Sequence, residues 1–111
     1  MEIKVRRVGA ATILDLSGPL LVGEAERHCR DRVQEQVEVG ARKLVINLSG
    51  VPYMDSSGIG ALVSIFNGVH ELGGVCRFYG ATRKGRQLLR MVRLDTVLEL
   101  VEDEESALSS L

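Results

Sequence analysis

Hydrophobic and charged residues alternate over the first eight positions of the chain. Ile3 and Val5 are separated by charged residues, Gly9 and Ala10 resemble a turn, and a second β-type run covers residues 12–16. A period of two residues is typical of a strand with one buried face. We therefore predict that the chain opens with an antiparallel hairpin, which ends at Gly18 and Pro19.

Two later segments change to the spacing of three and four residues that marks an amphipathic helix. The first ends near Gly40 and the second is stopped by Gly73 and Gly74, in the position of a left-handed C-cap. The apolar stripe of the first is formed by Val22, Ala25, Cys29, Val33 and Val37. That of the second is formed by Ile59, Leu62, Val63, Phe66, Val69 and Leu72.

Residues 44–48 are almost continuously apolar, as in a central strand covered on both faces. With the second helix and a returning strand at 75–79, they form a β-α-β unit, which implies parallel strands and a right-handed crossover. A third helix over 83–92, a short strand at 97–100 and a terminal helix around Ala107 follow. The predicted fold is a single α/β domain over residues 1–111. It has a mixed sheet of about five strands, with about four helices mostly on one face.

Composition narrows the class of protein without naming a partner. The 111 residues are 45% hydrophobic and 26% charged, with a net charge of −1, so no global attraction to nucleic acid or anionic membrane is expected. The N-terminus lacks a secretion signal and no apolar run approaches the roughly twenty residues of a membrane span, which favours a cytoplasmic protein. Cys29 and Cys76 stand singly in apolar patterns, so we predict buried side chains and no metal site.

The candidate chemistry lies in residues 54–60, where the central strand leads into the second helix. Asp55, Ser56 and Ser57 would lie at a helix N-terminus, whose free backbone N–H groups and partial positive charge suit a serine cap or a phosphate. The residues alone leave two interpretations open. One serine caps the helix with Asp55 assisting, or one serine accepts a phosphate.

Residues 44–58 together resemble the signature of the STAS family, the bacterial anti-sigma factor antagonists, and the similarity extends over nearly the whole chain. The resemblance implies that Ser56 is phosphorylated by a partner that is both an anti-sigma factor and an ATP-dependent serine kinase, and that a Ser/Thr phosphatase resets it. The unmodified form would bind the anti-sigma factor and release a sigma factor for transcription. No cofactor, direct nucleic-acid contact or membrane insertion is implied.

The neighbours of Ser56 are expected to form the partner-binding surface. A phosphate beside Asp55 would concentrate negative charge there and penalise docking. Ser57 belongs to the same patch, and Gly58 and Gly60 would let a partner approach the first helical turn closely.

The loop that precedes the first helix departs from the family pattern. Many members carry an aspartate shortly after the second strand, whereas residues 18–24 are apolar here until Glu24, which is the substitute we expect. This departure supports an alternative function: an adaptor or scaffold STAS subunit in a signalling or transport assembly, without phosphate transfer.

Two further classes of function find little support. A serine hydrolase needs a base beside the nucleophile, and the sequence places neither His28 nor His70 against Ser56, so we do not expect an enzyme.

The cationic residues from position 83 onward lack the stacking aromatics of a nucleic-acid site. They predict a solvated helix face or a docking surface for an acidic partner. These residues are Arg83, Lys84, Arg86, Arg90 and Arg93.

Overall fold

The computed structural model describes all 111 residues and contains one five-stranded mixed sheet. Its spatial order follows the chain, with β1 antiparallel to β2 and every other neighbouring pair parallel. The strands are β1 (Glu2–Val8), β2 (Ala11–Ser17), β3 (Lys43–Gly50), β4 (Val75–Tyr79) and β5 (Leu100–Val101). The helices are α1 (Glu24–Glu38), α2 (Ser56–Glu71), α3 (Arg83–Met91) and α4 (Glu104–Ser109). The predicted fold class is confirmed.

Strand β3 is the centre of the molecule, as its apolar run predicted. Leu44, Ile46 and Leu48 are fully buried in the main core, which also contains side chains of α1, α2 and α3. Val45 points to the opposite face and packs in a smaller cluster with Ala107 of α4. Because successive side chains of a strand alternate between faces, helices on both sides require an unbroken apolar sequence.

Helix α2 ends as its two glycines predicted. Gly73 adopts φ 78°, and its N–H donates to the carbonyl of His70 at 2.9 Å. The N–H of Gly74 donates to the carbonyl of Val69 at 2.9 Å, which completes a Schellman motif. The last residue of the predicted stripe, Leu72, follows the helix and is 53% exposed.

Both cysteines are free and buried, which confirms the prediction that they act as small apolar side chains. Burial raises the pKa of each thiol, Cys29 and Cys76, to about 12. A thiol with so high a pKa is protonated at neutral pH and is a poor nucleophile.

The strand predicted at residues 97–100 was placed too early. Residues 95–99 form a turn in which Glu99 has φ 53°, and the strand is confined to Leu100 and Val101. Leu98 is nevertheless fully buried, with its N–H bonded to the carbonyl of Leu94 at 2.9 Å. The short apolar run therefore predicted the burial of Leu98 correctly and its strand conformation wrongly.

Helix α4 alone lies on the second face of the sheet, where a polar network holds it. Arg6 donates to Asp15 at 2.6 and 3.0 Å and to Glu104 at 2.6 Å. The hydroxyl of Tyr79 donates to Glu104 at 2.8 Å, and the side-chain amide of Asn47 donates to Asp15 at 2.9 Å. The network therefore ties α4 to four strands.

This network predicts a loss of stability in acid. Hydrogen bonds from Arg6 hold the pKa values of Asp15 and Glu104 below their usual values. A depressed carboxyl pKa contributes stability above the unfolded-state value of about 4, and the contribution is lost as pH falls through the folded-state value. Urea unfolding at pH 7, 5, 4 and 3 should show a smaller acid loss in Arg6→Met than in the wild type. Arg7→Met, at the exposed neighbour, is the control and should follow the wild type; an equal acid loss in Arg6→Met would contradict the prediction.

Candidate functional site

The serine loop, residues 51–57, consists of the connection from β3 to α2 and the first two residues of α2. It lies at the carboxyl end of the parallel strands, where open α/β sheets usually place their functional groups. It pairs with the loop that follows β2. The N–H of Leu20 donates to the carbonyl of Tyr53 at 2.9 Å, and the N–H of Asp55 donates to the carbonyl of Leu20 at 3.3 Å. Two loops that are far apart in sequence thus form one bridged unit, with Leu20 opposite Met54.

Asp55 is the residue that caps α2, so the prediction of a serine cap was wrong. One carboxylate oxygen, Oδ1, accepts from the N–H of Gly58 at 2.9 Å, and the other, Oδ2, accepts from the N–H of Val22 at 2.9 Å. These bonds hold the pKa of Asp55 below its usual value, so the carboxylate is charged at neutral pH. The side chain therefore both starts the helix and fastens the loop after β2 to it.

Because Asp55 caps α2, neither Ser56 nor Ser57 is needed as the cap. Ser56 is the first residue of α2 and is exposed, whereas Ser57 is partly buried. Neither hydroxyl takes part in a side-chain hydrogen bond of the protein, in contrast to both oxygens of Asp55. Exposure thus distinguishes the two serines, which the sequence could not do, and favours Ser56 as the group that another protein can reach.

The two glycines of the first turns have different roles. Gly58 is buried, and a Cβ atom built on it would lie 2.1 Å from the carbonyl oxygen of Leu20. Its missing side chain lets α2 pack against the loop after β2. Its part in partner binding stays a prediction. Gly60 has no other atom within 4 Å of such a Cβ and is partly exposed, so it is accessible from outside.

Glu24 lies at the first position of α1 and is exposed. It forms no hydrogen bond or ion pair with the serine loop, whereas the loop before it does so through the backbone of Val22. Its role in partner binding stays a prediction.

An exposed aromatic and a cation complete the surroundings of the loop. Tyr53 is 42% exposed, and Nζ of Lys84 lies 4.9 Å from the centroid of its ring. Helix α3 therefore begins beside the serine loop. Nothing in the sequence connected these two residues, because they are separated by β4 and all of α2.

Neither of the two histidines forms a hydrogen bond with Ser56, as a catalytic base would. His70 is fourteen positions further along α2, or about 21 Å along the helix axis at 1.5 Å per residue. His28 lies on α1. The structure holds no group of three histidine, cysteine, aspartate or glutamate side chains suited to a metal ion, and none of its helices could cross a membrane.

Comparison with known proteins connects this arrangement to a family. The family model described as the STAS domain matches residues 2–107, which is nearly the whole chain. The chain belongs to the STAS family. In this STAS protein, Ser56 is the exposed serine at the start of α2.

Three relatives of this STAS protein show how far the similarity extends. The anti-sigma F factor antagonist of Paenibacillus polymyxa is 26% identical over 96 residues, which cover 82% of each chain. A Thermotoga maritima protein has a TM-score of 0.90 at 21% identity, over 97% of this chain and 92% of that one. The Bacillus cell fate determinant SpoIIAA, in its phosphorylated form, has a TM-score of 0.75 at 19% identity, over 98% of both chains.

Proposed function

We propose that this STAS protein is an anti-sigma factor antagonist that is switched by phosphorylation of Ser56. The observation that carries the proposal is the exposed Ser56 hydroxyl, free of intramolecular hydrogen bonds, at the first position of α2. The name of the Paenibacillus polymyxa relative and the phosphorylated form of SpoIIAA, which has the same fold, support it.

The local electrostatics suit such a switch. A phosphate brings about 1.5 to 2 negative charges at neutral pH, which the N-terminal end of α2 tolerates. The charge of Asp55 is already present beside it, so modification adds further negative charge at the start of α2. The unmodified protein is then the binding form, because a partner that fits it meets added bulk and like charge after phosphorylation.

The partners follow from this scheme. The unmodified form binds an anti-sigma factor with ATP-dependent serine kinase activity, which releases the sigma factor, and a Ser/Thr phosphatase restores the binding form. The protein itself is a regulatory binding module and not an enzyme. Neither histidine is hydrogen-bonded to Ser56, which agrees with that role. Gly60, Ser57 and the exposed edge of the serine loop contribute the contact surface.

Partner capture tests the switch. Wild type, Ser56→Ala, Ser56→Asp and Ser106→Asp are used as baits in lysate of the source organism, with and without ATP. We expect wild type and Ser56→Ala to retain an ATPase of the histidine-kinase type, and Ser56→Asp to bind it at least tenfold more weakly, which is about 1.4 kcal/mol. Ser106→Asp, at an exposed serine in the first turn of α4, is the matched control for added charge and should bind like the wild type. Phosphate should appear on Ser56 of the wild type.

The opposite result has a defined meaning. If all baits retain the same proteins and Ser56 stays unmodified in the presence of ATP, the switch does not exist in this protein. The adaptor function without phosphate transfer would then take its place.

A further inference from the structure

Helix α3 carries a set of cations that the protein itself does not neutralise. The five ion pairs of the structure use Arg6, Arg30, Arg32 and Arg77, and none involves α3. The helix contains no acidic residue. Its cations, with the one that follows it, are all exposed: Arg83, Lys84, Arg86, Arg90 and Arg93.

The positive charge is least compensated at the beginning of this helix. Arg86 and Arg90 line a cleft together with Asp95, Glu99 and Glu102, so acidic side chains stand near them. Arg83 and Lys84 do not line that cleft. These two cations lie in the first turn of α3, the end of the helix that contacts the serine loop, and neither forms an ion pair.

This end of α3 is continuous with the proposed switch. Lys84 lies over the exposed ring of Tyr53, and a Cβ atom on Gly85 would come within 3.3 Å of the Met54 side chain. Tyr53 precedes Ser56 by three residues, a distance that the chain limits to about 11 Å between Cα atoms. Tyr53 thus connects Lys84, which lies over its ring, to the start of α2, so the beginning of α3 and the serine loop form one surface.

We propose that Arg83, Lys84 and Tyr53 form a docking surface for a carboxylate-rich segment of the anti-sigma factor, and that phosphate on Ser56 weakens this docking by neutralising the same cations. This rests on the proposed function. Charge complementarity supports an acidic protein segment: two exposed cations without an ion pair adjoin each other in the first turn of α3, and one of them, Lys84, lies over the exposed Tyr53 ring, as at the rim of a protein interface.

The same surface fits other polyanions less well. Single-stranded nucleic acid requires a series of stacking aromatics, and Tyr53 is the only aromatic side chain among the exposed large hydrophobic residues. A membrane surface attracts clusters of four to eight cations, whereas two of the α3 cations, Arg86 and Arg90, share a cleft with three acidic residues, and the chain has a net charge of −1.

The test reverses the two charges. Arg83→Glu/Lys84→Glu places carboxylates in the first turn of α3, where they suit the helix dipole, so the fold is retained. The matched control, Arg7→Glu/Lys43→Glu, makes the same charge change at exposed positions on the opposite end of the sheet. Affinity for the captured ATPase is measured by calorimetry at 50 and 300 mM NaCl, and labelled poly-L-glutamate is a second probe.

We expect the α3 reversal to weaken ATPase binding about tenfold or more at 50 mM NaCl and to flatten its salt dependence, while the control binds like the wild type. Poly-L-glutamate should bind the wild type and lose affinity in the α3 reversal alone. An ATPase that releases Ser56→Asp but binds the α3 reversal like the wild type would overturn this inference and leave the switch intact. If no ATPase is captured, the proposed switch is contradicted. Binding of poly-L-glutamate then tests the docking surface by itself. Preferential binding of a DNA duplex or of phosphatidylserine vesicles over poly-L-glutamate would also overturn it.

Discussion

Replacing Gly58 with alanine is expected to lower the free energy of unfolding by about 2–3 kcal/mol, as overpacking in a rigid site does. The new Cβ would stand 2.1 Å from the carbonyl oxygen of Leu20 and 2.9 Å from its Cγ. The first obstacle is backbone, which cannot move aside as a side chain can. The same oxygen accepts the N–H of Asp55, so displacing it also loosens the serine loop. Urea unfolding measures the loss.

Gly60→Ala is the matched control, two residues further along the same helix. Its Cβ meets no atom within 4 Å, and alanine is the better helix former, so stability should rise by about 0.5–1 kcal/mol. Adding Leu20→Ala to Gly58→Ala should not restore stability, because the closest atom to the new Cβ belongs to the Leu20 backbone. Equal effects of the two glycine substitutions would refute the packing of α2 on Leu20.

Truncating Leu20 itself is expected to cost about 2–5 kcal/mol, the usual range for a leucine removed from a filled core. The residue is fully buried although it lies in a loop, and it bridges to Met54 of the serine loop. We expect the amide of Asp55 to exchange faster with solvent in Leu20→Ala, because that amide donates to Leu20 across the bridge. Urea unfolding and hydrogen exchange together separate the global loss from the local one.

Val22→Ala serves as the control in the same loop. Val22 is 68% exposed, and its bond to Asp55 uses the backbone N–H, which alanine keeps. Its stability should stay within about 0.5 kcal/mol of the wild type. A loss as large as that of Leu20→Ala would mean that loop conformation, and not burial of Leu20, supports the site.

These substitutions describe how the site is built. Leu20, Asp55 and Gly58 hold the start of α2 from within the protein, and Ser56 is left at the surface with no structural task. A phosphate on Ser56 can therefore be added and removed without unfolding the protein. The apolar loop of residues 18–23, which departs from the family pattern, has the same supporting role through Leu20 and Val22.

The sequence predicted the architecture because its signals are local. The alternation around Ile3 and Val5, the helical stripes and the glycines after α2 each depend on neighbours within a few positions. The sequence left the cap of α2 open and considered only the serines for it, because Asp55, Ser56 and Ser57 all suit that position, and a one-residue difference in the helix start decides among them. The late strand was misplaced because a short apolar run around Leu98 specifies burial more strongly than conformation.

By itself, then, the sequence determined the order of strands and helices, the buried central strand and the pair of serines at the start of α2. Only the tertiary structure decided that Asp55 caps the helix and binds Val22, that Gly58 faces Leu20, and that Lys84 lies beside Tyr53. It also joined Arg6 to Glu104, 98 positions away. The physical reason is that periodicity and capping arise within one or two turns of chain, whereas these contacts exist only once the sheet has brought distant segments together.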